Sequence, residues 1–256
     1  MPSSRIHFEE VMGSTVTDKR LEVLRFIHQA GSISEAARAA GISYKAAWQA
    51  LETLGNLAGV PVVEKAVGGS GGGGARLTPE GLQVLQAAEA LNAARDQVLA
   101  RIRRQPRASR LNVAGLAGVG LRTSMRNQMP CVVREVSRVR GSARVVLQLS
   151  DGQGLASRIT LESLQLLGLG PGRHVLAMFK ATAVTVAPRI VAVGGVNLLQ
   201  GRVTRRGSGA AGLEVSLQVA PGLAVVGFAD PDGPPRLRQP AMAAVEETAV
   251  VIGLAG

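Results

Sequence analysis

The chain has 256 residues, enough for two or three domains, and 46% are apolar, which suits packed cores and excludes an acidic disordered chain. Lys and Arg exceed Asp and Glu by 11, favouring an anionic partner such as a duplex backbone, an anionic membrane face or a small oxyanion. Aromatic residues make up 2%, too few for a platform that stacks single-stranded bases. The single cysteine, Cys131, and three scattered histidines exclude a disulfide framework and match no zinc spacing.

The N-terminal stretch is polar and lacks the apolar core of a signal peptide. No apolar run is long enough to span a bilayer. The expectation is a cytoplasmic protein with no membrane partner.

The first predicted helix runs from Asp18 to Ala30, with Leu21, Leu24 and Ile27/His28 on one face beside Val23 and Phe26. Gly31 stops it. Ser32 and Glu35 have capping-box spacing before a short alanine-rich helix, Glu35 to Ala40. Gly41 supplies a tight turn, and Ser43 caps a third helix through Tyr44, Lys45, Trp48 and Leu51 to Leu54. Helix, short alanine-rich helix, Gly turn and capped helix is the helix-turn-helix pattern. The alanines let two helices approach closely, and Gly41 takes a backbone conformation that a Cβ opposes. The second helix of such a pair enters the major groove with its N-terminal residues toward base edges. The candidates for DNA contact are Ser43, Tyr44, Lys45 and Gln49, with Ser32 and Ser34 before them. Trp48, one turn on from Tyr44 amid Ala47 and Leu51, is expected to pack inward. The alternative is a three-helix packing unit with no DNA role.

Two short runs, Val60–Lys65 and Ala75–Thr78, flank a tract that holds six of the 32 glycines. They read as a hairpin, or wing, whose glycines let the backbone approach phosphates while Lys65 and Arg76 pair with them. A flexible linker is the plainer reading of such a tract. A phosphate-binding P-loop is excluded because Gly74-Ala75-Arg76 lacks the Gly-Lys-Ser/Thr ending. Thr78-Pro79-Glu80 opens a helix that can run to about Arg104. Val84, Leu91 and Val98 are spaced by seven, with Ala87 and Ala94 three after the first two. That seam suggests dimerisation, against the alternative of a helix packed on its own domain. A basic, proline-containing linker follows, to Arg110.

Beyond it, short Val- and Leu-rich runs between Gly, Pro and Asp suit strands and turns. They contain a repeat. Asn127/Asn197, Val133/Val203, Val145/Val215 and Leu147/Leu217 are each 70 apart, and Thr182–Val186 resembles Thr248–Ile252 at an offset of 66. Two tandem β-modules follow, each the size of a small five-stranded barrel. Their polar chemistry differs. The first has Thr123-Ser124-Met125-Arg126-Asn127 and Lys180. The second has Gly194-Gly195-Val196-Asn197, and Glu246 opposite Lys180. Hydroxyls, an Arg and a Lys suit a tetrahedral oxyanion, which needs donors from several directions and offsetting charge. The alternative is a turn with a surface arginine. No general base, paired carboxylates or nucleophile–base pair accompanies them, so an enzyme is not expected. Residues 111–256 carry a net +7 and residues 1–110 a net +4, so more of the excess lies where the oxyanion is placed.

The segment Gly31 to Trp48, followed by the glycine wing to Thr78, resembles the ModE family of molybdate-responsive regulators; its first part is shared with LysR-type regulators. The segment Thr123 to Gln128 resembles the motif of the molybdate-binding Mop modules. The resemblance covers about residues 18–253. It implies an α+β multidomain chain: a winged helix-turn-helix with a long dimerisation helix in 1–110, then tandem OB-like five-stranded β-barrels in 111–190 and 191–256. It implies a homodimer that binds molybdate or tungstate at the interface of its Mop modules. The loaded dimer binds a palindromic double-stranded DNA operator and typically represses molybdate uptake genes. The implied ligand contacts are Ser124, Met125, Arg126 and Lys180, with Thr160 and Ser163 reaching in from the other subunit. Asn127 matches the motif, with a structural role as its alternative. Met125 stands where the motif has a small residue. An intracellular molybdate store is the rival reading, which the intact N-terminal segment argues against. A LysR-type regulator needs an α/β effector domain, which the tandem β-repeat contradicts.

Overall fold

A computed structural model describes residues 18–66, 74–103, 123–209 and 212–254. Most of the glycine tract and most of the basic linker lie outside the described residues. Two compact units divide the chain, one centred on the N-terminal helices and one on the C-terminal strands.

Asp18 opens helix α1 (Lys19–Ala30) by accepting from the Arg20 N–H, and Gly31 closes it in the left-handed conformation. Ser32 caps α2 (Ile33–Ala40), which starts two residues earlier than its sequence pattern suggests. Gly41, also left-handed, ends α2 and lets the chain turn into α3 (Tyr44–Ala58), capped by Ser43. The alanines do what their size allows. Ala36, Ala37, Ala40 and Ala47 are buried with Leu21, Leu24, Ile27 and Leu51 in one core. Strands β1 (Val63–Ala66) and β2 (Gly74–Leu77) pair antiparallel as the wing. Thr78 then caps α4 (Pro79–Arg103) through the Gly81 N–H at 2.9 Å. Gly81 is required there, because a Cβ would stand 2.0 Å from the Val62 carbonyl oxygen. No helix among the described residues is long and apolar enough to cross a membrane.

After the linker the chain runs in order through β3 (Asn127–Val139), β4 (Ser142–Gln148), β5 (Gly154–Thr160), α5 (Leu161–Leu166), β6 (His174–Phe179), β7 (Thr185–Ala187), β8 (Val196–Gly209), β9 (Gly212–Ala220), β10 (Leu223–Ala229), β11 (Pro240–Glu246) and β12 (Val251–Gly253), and the strands make up the C-terminal unit. The repeat is real in three dimensions. The paired positions Val133/Val203, Val145/Val215 and Leu147/Leu217 are all buried. The long first strand of each module bulges at the same place, Val133/Glu135 and Val203/Arg205.

The modules exchange their last strands. β7 follows the first module in the chain but lies between β10 and β11 in the second. β12 ends the second module but pairs with β6 of the first. A cut at residue 190/191 separates two chain segments, yet it leaves each set of strands dependent on the other segment for its fifth member.

Two asparagines fasten the exchange. The Asn127 amide donates to the Val226 carbonyl at 2.8 Å, and the Val226 N–H donates back at 2.7 Å. The Asn197 amide donates to the Ala156 carbonyl at 2.9 Å, and the Ala156 N–H donates back at 2.6 Å. Each carboxamide thus copies the pairing of a backbone peptide across to a strand of the other module.

The two sets of strands close differently. The second is a closed barrel, whereas the first is a five-stranded sheet running β12-β6-β3-β4-β5. Residues at one equivalent position explain this. In the second module Gly227 has no Cβ to strike Val184, so the Phe228 N–H reaches the Val184 carbonyl at 2.9 Å and β10 ladders with β7. In the first, Ser157 occupies the equivalent position, and its hydroxyl donates to the Val250 carbonyl at 2.6 Å. Glu247, buried just before β12, ties the exchanged segment to Arg144 at 2.7 Å and Arg158 at 3.4 Å.

Replacing Asn127 by Ala leaves the Val226 N–H and carbonyl unpaired, and should lower unfolding free energy by about 2–4 kcal/mol. Asn197→Ala should cost a similar amount, because Ala156 is left in the same position. Urea unfolding midpoints check both, and a loss within experimental error for either would overturn this account.

Candidate oxyanion half-sites and nucleic-acid interface

The antiparallel register of β3 and β6 sets the first cluster. Asn127 pairs with Phe179, so the next residue outward on each strand, Arg126 and Lys180, lies at the same end of the sheet. Ser124, Arg126 and Lys180 are exposed there and Met125 is half-buried. The Met125 N–H lies 3.3 Å from the Thr123 hydroxyl oxygen. This end therefore presents a hydroxyl, a backbone segment and two cationic side chains, the donor set that a tetrahedral dianion requires.

The second cluster lies at the other end of the same strand. Val139 ends β3 opposite Ser142, and Ser142 pairs with Thr160 at the end of β5. Ser163 follows three residues on, in the first turn of α5. Between Asn127 and Val139 runs the whole 13-residue length of β3, a contour of roughly 40 Å at about 3.3 Å per residue. Arg126 thus precedes the first residue of β3, whereas Thr160 lies two strands over from its last residue, across Ser142.

Asn127, expected among the ligand contacts, is buried and has both polar ends of its side chain committed to Val226. Its carboxamide serves the strand exchange.

Glu214, which sequence reasoning did not single out, is the partner of Arg126. Its two carboxylate oxygens accept from Arg126 Nη1 and Nη2, the latter at 3.2 Å, and Arg205 reaches the same carboxylate at 2.9 Å. The end-on grip uses the Nη edge of the guanidinium. The Arg126 hydrogen bond is the main cause holding the Glu214 carboxyl below the usual carboxylate range; partial desolvation opposes it and Arg205 adds to it. A signal existed in the repeat: Glu214 stands 70 residues after Arg144, so the charge reverses at equivalent positions.

In the N-terminal unit, α3 buries Ala46, Ala47, Ala50, Leu51 and Leu54. Its opposite face presents Tyr44, Lys45, Trp48 and Gln49. Trp48 is not packed inward. It is 39% exposed and stands edge-on to Tyr44, with ring centroids 6.3 Å apart and planes at 80°. The helical period decides this: Tyr44 and Trp48 are four residues apart and share a face, while the alanines occupy the buried one. Ser32 and Ser43 accept N–H bonds from Glu35 and Ala46 as helix caps, and Ser34 is exposed. On the wing, Arg76 is opposite Glu64 and paired with it at 2.8 Å. Lys65 is exposed, and strand alternation turns it to the other face from Glu64 and Arg76.

Residues 19–82 match the bacterial regulatory helix-turn-helix proteins of the lysR family, and residues 123–186 match the TOBE domain. The DNA-binding transcriptional dual regulator ModE of Escherichia coli K12 is 35% identical over 208 residues, 80% of this chain and 79% of the relative. The chain belongs to the ModE family of transcriptional regulators. The molybdenum transport protein ModE of Azotobacter vinelandii is 32% identical, over 87% of this chain and 84% of the relative. The molybdenum-pterin-binding protein MopB of Rhodobacter capsulatus is 37% identical, over 83% and 79%. Within this ModE-family chain the lysR-type match ends inside α4, and the TOBE match ends within β7, the strand given to the second barrel.

Because the Arg126 bond holds the Glu214 carboxyl low, their pairing stabilises the fold above the ordinary carboxylate range and is lost as pH falls through the depressed value. Arg126→Ala should move the Glu214 midpoint upward, toward ordinary, with Arg205 retaining part of the effect. A carboxyl carbon NMR titration measures it, and an unmoved midpoint would contradict the pairing.

Proposed function

We propose that the chain is a molybdate-sensing, DNA-binding transcriptional regulator that acts in the cytoplasm as a homodimer and represses molybdate uptake genes. The observation that carries the sensing step is the separation of the two clusters along β3. In one chain Arg126 and Lys180 flank the start of β3 while Thr160 is paired across β4 from its far end, so a complete oxyanion site takes one cluster from each of two copies. Ser124, the Met125 N–H, Arg126 and Lys180 of one copy face Thr160 and Ser163 of the partner subunit around one tetrahedral dianion. Tungstate has the same shape and charge and fits the same donors.

The exposed seam of α4 supports the dimer. Leu91 is 72% and Val98 58% exposed in the single chain, and Ala87 and Ala94 lie exposed between the same turns. A second copy covers such a stripe. An anion that bridges two copies favours one arrangement of the pair, and that arrangement sets the spacing of the two recognition helices on a palindromic operator. The gain in operator affinity equals the anion's differential affinity for that arrangement.

Calorimetric titration should show molybdate binding at one per chain and much weaker sulfate binding. Arg126→Ala should weaken molybdate binding about 10- to 100-fold, the loss of hydrogen bonds to a charged group, while Lys45→Ala should leave it intact and weaken DNA binding. Equal affinity for the two anions removes the sensing role. No specific gel shift with operator DNA at any molybdate level, with molybdate still bound, makes the chain a store instead. The double substitution Leu91→Glu with Val98→Glu should weaken self-association at least about ten-fold, since two charges per copy enter an apolar seam. Sedimentation equilibrium checks this, and an unchanged dimer assigns the seam to another role.

A further inference from the structure

The exposed aromatic pair on α3 has no use in the fold of its own unit. Tyr44 is 52% and Trp48 39% exposed, and they are the chain's only Tyr and only Trp. They lie on the face that carries Lys45 and Gln49, opposite the buried alanines. The two rings are in edge-on contact, an arrangement that aromatic pairs favour. Large rings with few rotatable bonds lose little freedom on binding.

We propose that Trp48, braced by Tyr44, is a specificity-determining residue that reads thymine 5-methyl groups in the major groove. This rests on the DNA-binding reading of α3 and adds the base that it selects. The chemistry leaves one target. In an intact duplex the base faces are stacked and closed to a ring. The major-groove edges of guanine, adenine and cytosine present donors and acceptors, and only thymine offers an apolar group. A neighbouring Gln49 has the paired donor and acceptor that suit adenine N6 and N7. Lys45, exposed and paired with Glu162 at 2.8 Å, carries a point charge that a phosphate or a guanine edge can take over from that carboxylate. The face therefore combines apolar and amide readers suited to A·T pairs.

The test uses the full-length chain with molybdate present. Binding sites are first recovered from a random-sequence duplex library. Each thymine is then replaced singly by deoxyuridine, which removes the 5-methyl group and nothing else, and binding is followed by fluorescence anisotropy at fixed salt. The wild-type chain should lose about four-fold in affinity at one or two thymines per half-site, the worth of one buried methyl. Trp48→Ala should bind more weakly and respond to deoxyuridine at those thymines by less than about two-fold. Trp48→Phe, which keeps an apolar ring, should retain discrimination. Thermal melts confirm that the variants fold, as expected for an exposed position. The inference is overturned if wild type tolerates every deoxyuridine, or if Trp48→Ala loses as much as wild type at the same thymines. Failure to recover any site is a different result: it removes the DNA-binding reading, and this inference with it.

Discussion

Two buried carboxamides tie the two modules of the C-terminal unit together, joining β3 to β10 and β8 to β5. Asn127 and Asn197 each present an acceptor and a donor to one peptide of the other module, at 2.6–2.9 Å. A buried amide so matched contributes modestly when satisfied and is costly to leave unmet. The alternatives to the exchange are therefore penalised more than the exchange itself is rewarded. Neither module has its fifth strand without the other segment of chain, so the two behave as one folding unit. The proposed ligand cluster sits beside this anchor, because Arg126 is the residue next to Asn127 and Lys180 is next to its strand partner Phe179.

The modules differ at the positions proposed to hold the ligand. Arg126 has Val196 at the equivalent position, Ser124 has Gly194, and Lys180 has Glu246. The second copy keeps the strand pattern and the fastening asparagine but loses the cationic donors. It gains Glu214, which grips Arg126 across the module boundary. Closure diverged as well: a glycine lets β10 ladder with β7, whereas Ser157 substitutes a hydroxyl bond for the ladder in the first module.

Much of the fold was legible in the chain. Caps at Asp18, Ser32, Ser43 and Thr78 are local, because the side chain and the N–H it satisfies lie two or three residues apart. The 70-residue repeat is visible because the apolar positions it pairs, such as Val145/Val215 and Leu147/Leu217, are buried in both modules and alternate along each strand. Trp48 faces outward although its place one turn on from Tyr44 amid Ala47 and Leu51 predicts burial. The buried Ala46, Ala47 and Ala50 fix the phase of the helix, and Tyr44 and Trp48 share the opposite, exposed face. Asn127 was visible as part of a motif, yet its partner Val226 lies 99 residues away. No local pattern distinguishes an asparagine that meets a ligand from one that meets a distant strand.

The sequence alone determined the succession of elements, their caps and turns, the duplication, and the residue types able to hold an oxyanion. These depend on contacts within a turn of helix or on the alternation of one strand. Only the tertiary structure decided which strands close which module, that Arg126 is held by Glu214, and that Arg126 flanks the start of β3 while Thr160 lies across β4 from its end. Those facts depend on pairing between residues tens of positions apart, where one peptide N–H is chemically the same as any other and register alone selects the partner.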